Sequence, residues 1–148
     1  MRSLLERLLA PQQKAASIST ADLQLASATL LYEAMRADGK LQADESEQLL
    51  TTLQQRWQLD EVAASDLHQQ AQARADAASD LYQFTRLLCD HWDMPDRVRL
   101  IGNMWQLAYS DGHLAAEEEA LIRKVADLLY VSHSDFIRTK LKVLNLQN

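Results

Sequence analysis

Two stretches decide the fold: LYEAMRADGKLQADE at Leu31–Glu45 and MWQLAYSDGHLAAEE at Met104–Glu118. At an offset of 73 residues, Asp38, Gly39, Leu41, Ala43 and Glu45 match Asp111, Gly112, Leu114, Ala116 and Glu118. Tyr32 faces Trp105 with the same aromatic character. Beyond the motif the apolar pattern continues at an offset of 72, with Leu49, Leu50 and Leu53 beside Leu121, Ile122 and Val125. Asp60 then meets Ser132, each a candidate helix cap. The order is the same twice: an apolar helix, an Asp-Gly turn, an acidic helix start and a capped third helix. We therefore expect an internal duplication, with repeat 1 at about 21–73 and repeat 2 at about 95–144.

The apolar spacing around the two turns is helical throughout. Ala21 to Ala37 is apolar nearly all round, as a central helix would be. Thr20 is a plausible N-cap, with Asp22 in the first turn. Gly39 supplies the left-handed backbone that ends such a helix without a Cβ clash. A second helix is expected over 43–57, with Leu49, Leu50, Leu53 and Trp57 on one face. Asp60 caps a third, whose apolar residues are Val62, Ala63, Leu67 and Ala71. Leu81, Phe84, Leu87, Leu88 and Trp92 mark a further face, and Met94-Pro95 breaks the chain before the helix that ends at Asp111-Gly112. Leu121, Ile122, Val125, Leu128 and Leu129 mark the next. Ser132 with Asp135 resembles a capping box for the last, whose stripe is Phe136, Ile137, Leu141 and Leu144. No stretch alternates with period two. The expected class is all-α: a single multihelical domain over 20–148, preceded by an amphipathic helix and linker at 1–19.

Composition narrows the function classes. The chain has 148 residues, 47% of them hydrophobic, enough to bury one core. It carries 15 basic and 21 acidic side chains, a net charge of −6, which speaks against a nucleic-acid surface. A single cysteine, Cys89, excludes an internal disulfide framework. No apolar run reaches the ~20 residues of a membrane span. MRSLLERLLAP is too short for a signal peptide, and Glu6 interrupts it. The expected compartment is the cytoplasm, with membrane contact confined to residues 1–10.

The shared motif Asp-Gly-x-Leu-x-x-x-Glu looks like half of a calcium-binding EF-hand loop. An EF-hand also needs oxygen ligands at its first and third positions. Those positions hold Ala34 and Arg36 in one copy and Leu107 and Tyr109 in the other, so the EF-hand is rejected. Two readings stand side by side. In one, the Glu bonds a free N–H at the start of the next helix and meets its dipole, while Leu41 or Leu114 anchors the turn. In the other, Asp38 with Glu45, and Asp111 with Glu118, hold a divalent cation, with Asp44, Glu47, Glu117 and Glu119 adding negative charge. His113 would add a ring nitrogen in the second copy only.

Other chemistry is poorly represented. His68, His91, His113 and His133 make no i, i+3 or i+4 pair and no His-Glu-x-x-His motif. His91 is two residues from both Cys89 and Asp93, so it faces a different side of a helix from either. There is no phosphate-cradling Gly-rich loop and no nucleophile elbow. The Tyr and Trp residues sit at core spacing.

ADGKLQADE at Ala37–Glu45 and SDGHLAAEE at Ser110–Glu118 resemble the turns of the TerB-like proteins, a family named for tellurite resistance. A related domain occurs in a membrane-anchored DnaJ-type co-chaperone. The resemblance spans roughly Ala21 to Leu144. It implies an all-helical, duplicated fold, cytoplasmic or membrane-associated, without an established enzymatic reaction. It also implies that Asp38, Glu45, Asp111 and Glu118 are the residues to suspect of binding metal. Gln42 and Ala115 depart from the family, which has Ser or Asp before the acidic turn. Two functions follow as expectations: a non-enzymatic module that binds a protein partner in a stress or tellurite-resistance-type response, and a divalent-metal-binding or metal-sensing domain.

Overall fold

The computed structural model describes residues 18–37, 39, 43–110 and 112–147; the N-terminal helix and linker expected over 1–19 fall almost wholly outside them. The described residues form seven helices and no strand. In chain order they are α1 (Thr20–Met35), α2 (Ala43–Trp57), α3 (Glu61–Ala77), α4 (Tyr82–His91), α5 (Met94–Ala108), α6 (Ala116–Leu128) and α7 (His133–Gln147).

Helix α1 is the hub, packing on α2, α3, α4, α5 and α6. Its residues from Ala26 to Tyr32, then Ala34 and Met35, are all buried. Such a helix has no wet side, so its polar residues must be satisfied internally. Ser27 Oγ donates to the Leu23 carbonyl at 2.8 Å, and Thr29 Oγ1 to that of Leu25 at 2.7 Å. The helix starts one residue earlier than its pattern suggests. Ser19, not Thr20, is the cap: its Oγ accepts from the Asp22 N–H while the Asp22 carboxylate accepts from Ser19 N–H. That reciprocal pair needs an acid three residues after the cap, which only Ser19 has.

Each later helix has an identifiable start. Asp60 accepts from Ala63 N–H at 2.7 Å to cap α3, and Asp93 accepts from Asp96 N–H to cap α5. The break before α5 thus falls at Asp93, ahead of Met94-Pro95. Ser132 accepts from Asp135 N–H at 3.1 Å at the head of α7.

The ends of α1 and α5 follow one hydrogen-bond pattern. The Ala37 N–H reaches the Ala34 carbonyl, as Ser110 reaches Leu107. Gly39 N–H donates to Arg36 at 2.9 Å, as Gly112 does to Tyr109 at 2.8 Å. Both glycines have positive φ, 129° and 78°. The ends of α2 and α6 also match. Gln58 and Tyr130 are left-handed at φ 54° and 58°, and the next N–H reaches back five residues, Leu59 to Gln54 and Val131 to Ala126. That is the Schellman ending, usually made by glycine.

The second half packs around Trp105, which is fully buried in α5. Its ring lies 5.1 Å from that of Phe136, which fastens α7 to α5. Lys140 of α7 pairs with Glu119 of α6 at 2.8 Å and lies 5.4 Å over the Trp105 ring.

Five apolar or aromatic assignments are corrected by the packing. Val62 is 80% exposed and Ala63 is also exposed, because the face of α3 that packs is Ala64, Leu67, Ala71 and Ala75. Leu141 is 52% exposed, because α7 buries Phe136 and Val143 instead. Tyr82 and Tyr130 are 55% and 75% exposed, not core. Tyr130 stands at the α6 ending, and Tyr82 opens α4 on the outer side of Phe84 and Thr85.

The acidic turns and the open clefts

Glu45 is the third residue of α2 and Glu118 the third residue of α6. Glu118 is nearly buried, and its Oε1 accepts from the backbone N–H of Ala115 at 3.2 Å. Ala115 offers no side-chain acceptor, so this reach-back satisfies a donor at the head of α6 that would otherwise be orphaned. Glu117, Glu118 and Glu119 occupy the first turn of α6, and Asp44 and Glu45 that of α2, where negative charge meets the positive end of each helix.

Of the four residues suspected as metal ligands, Asp38 and Asp111 lie outside the described residues, as does Leu41. Glu45 is half-buried at its helix start, and His113 is exposed in the second turn. Leu114 packs, partly buried, against the core, as an anchor past the turn should. Among the described residues no three His, Cys, Asp or Glu side chains come together in a way that could hold a metal ion.

Cys89 and His68 are both shifted by burial. Cys89 donates its thiol to the Leu128 carbonyl at 3.5 Å, and burial pushes the thiol pKa up against the opposing pull of Arg97. A thiol held protonated is a poor nucleophile. Arg97 itself is structural. It donates to the Trp92 carbonyl at 3.0 and 3.2 Å and to that of Leu129 at 3.1 Å, tying α5 to the negative end of α6. His68 is half-buried with its ring edge-on to Tyr32 at 5.8 Å, and burial lowers its pKa.

What the sequence did not disclose is where the surface opens. A cleft of about 750 Å3 lies between α2 and α3. Leu50 and Ala64 line it beside exposed Val62, and Glu47, Glu61 and Asp66 give it negative charge. A second cleft, of about 480 Å3, lies between α5 and α7 and carries Arg99, Arg138 and Lys142. Periodicity within one helix fixes its apolar face, but not how far the neighbouring helices cover that face. No described helix is long and apolar enough to cross a membrane.

Comparison with known proteins adds one finding. No curated protein and no solved structure matches the chain. The family model described as tellurite resistance protein TerB matches residues 24–141, from the second turn of α1 into α7. With that match over most of its length, on an all-α domain, the chain belongs to the TerB family.

Proposed function

We propose that the chain is a non-catalytic TerB-family module that binds a protein partner, serving a tellurite-resistance-type stress response. The supporting observation is the cleft between α2 and α3. It is wide, and Val62 beside it is left 80% exposed although a complete helical core lies beneath. Large apolar side chains beside a concave, charged surface are what a partner's anchor residues use. The family's description supplies the stress context. A photo-crosslinking residue at Val62, against the same residue at exposed Arg86 on α4, tests the reading in the host under tellurite. The expected result is a discrete protein adduct from position 62 alone. Equal adducts from both sites, or none from position 62, would refute it.

The module is, on this proposal, an internal duplication. The matched endings of α1 with α5 and of α2 with α6 support it, together with the shared Asp-Gly-x-Leu-x-x-x-Glu motif. A second functional reading, a divalent cation held at the two turns by Asp38, Glu45, Asp111 and Glu118, is favoured by the density of carboxylates in the first turns of α2 and α6. The reach-back bond of Glu118 weighs toward capping.

A further inference from the structure

The cleft between α5 and α7 has a property that the chain's own packing does not explain. Gly102 lies in the interior of α5, where glycine is the least favoured residue after proline. Helix glycines are usually retained because another helix presses on them. Here a Cβ at Gly102 would meet no atom within 4 Å. Gly102 lines the cleft, so the omitted side chain keeps the cleft open.

Its next neighbour is poorly satisfied. Asn103 also lines the cleft; its Nδ2 makes only a 3.4 Å contact with Gln106 Oε1. Its buried Oδ1 has no hydrogen-bond partner among the described residues. An amide held so loosely loses little by turning toward an arriving donor.

The charged residues that line the cleft are all cationic. The protein carries a net charge of −6, yet this cleft is lined by Arg99, Arg138 and Lys142 and by no carboxylate. Arg138 is paired with Asp135 at 2.5 Å, whereas among the described residues neither Arg99 nor Lys142 has a carboxylate within 4 Å. Arg56 of α2 stands near Arg99, and its proton affinity is lowered first by burial and then by that like charge, against the opposing pull of Asp96. Val98 and Val143 give the cleft an apolar part, and Ile137 and Leu141 continue it along α7.

We infer that this cleft binds an acidic peptide segment of a partner protein, its carboxylates on Arg99 and Lys142 and its backbone laid over Gly102. A peptide fits better than a bare anion for two reasons. Its narrow backbone uses the space that Gly102 leaves, and its N–H groups supply the donor that the Asn103 oxygen lacks. Its aliphatic side chains would lie on Val98 and Leu141. The inference goes beyond the partner-binding reading of the α2–α3 cleft and can fail without it, because the two clefts lie on different helix pairs.

The test is fluorescence anisotropy of a short labelled peptide of alternating Glu and Val, titrated with the full chain at low salt. Saturable binding is expected, weakening as salt rises. Gly102→Leu should weaken it about tenfold or more while leaving the melting temperature unchanged or higher, since leucine is the better helix former and its Cβ meets no neighbour. Arg99→Glu with Lys142→Glu should abolish it, and a Lys-Val peptide should not bind. Three results overturn the inference. One is the absence of saturable binding, or binding indifferent to Gly102→Leu. Another is displacement of the peptide by inorganic phosphate at equal charge concentration, which makes the cleft a simple anion site. The last is a sedimentation coefficient that rises with protein concentration and falls back in Gly102→Leu, which assigns the face to a second copy.

Discussion

The Glu118 carboxylate reaches back 3.2 Å to the backbone N–H of Ala115, three residues earlier, and in that position it is only 7% exposed. A side chain doing a cap's work from inside the helix is open to a clean substitution. Glu118→Gln keeps an oxygen acceptor for that bond and loses the interaction of charge with the helix dipole, about 0.3–1 kcal/mol. Glu118→Ala loses the bond as well, about 1 kcal/mol more. Urea denaturation of both variants checks the order; equal losses would show that the oxygen is not what matters.

The same pair of carboxylates separates capping from metal binding. On the capping account, Ca2+, Mg2+, Mn2+ and Zn2+ leave the melting temperature unchanged in wild type and in Glu45→Gln/Glu118→Gln alike. A bound cation at about 100-fold excess over its Kd would add ~2.7 kcal/mol. A rise in wild type that disappears in the double variant would establish the metal reading.

Tyr130 occupies a glycine's position. It is left-handed at φ 58° and 75% exposed, so its side chain returns little in packing for the strain it imposes. Tyr130→Gly should stabilise by about 1 kcal/mol. Thermal unfolding reads this directly, and a loss of stability would show that the exposed ring makes a contact worth more than the strain.

His68 gives the fold an acid sensitivity of known sign. Burial lowers its folded pKa below the ordinary 6.5, so the unfolded chain takes the proton more readily. Its contribution is fully present above about pH 6.5 and is lost as the pH falls below that value. Urea midpoints for wild type and His68→Phe between neutral and acid pH should converge as the pH falls if the phenylalanine variant starts the less stable, and diverge if it does not. Parallel curves would contradict the assignment.

Trp105 joins α5 to α7 through Phe136 and is wholly buried. Trp105→Ala should cost about 3–5 kcal/mol. A near-native denaturation midpoint would show that the second half of the core packs without it.

The helices were largely legible in the sequence, because each carries its own stop and start. Gly39 and Gly112 end helices by their positive φ, and Asp60 and Ser132 begin them by accepting a backbone N–H. The exposed surface was not legible. Val62 lies nine residues before Ala71, so it falls on the opposite side of α3 although both are apolar. Helix α7 offers two apolar stripes, one through Phe136 and Val143 and one through Ile137 and Leu141, and only contact with α5 selects the first. Of the acidic turns, the capping chemistry at Glu118 followed from its place three residues after the cap. The basic cleft did not, since Arg99, Gly102 and Lys142 come together only through the α5–α7 pairing.

On the proposed function, partner contact occurs at the α2–α3 cleft, while the acidic turns serve the fold. Survival on tellurite of a host lacking the gene tests it directly, complemented in parallel with Val62→Asp and with Glu45→Gln/Glu118→Gln. Exposed Val62 leaves the fold intact when charged, so both proteins should accumulate with wild-type helicity. The account predicts that Val62→Asp fails to protect while the double Gln variant protects like wild type; protection by the first and failure of the second would contradict it.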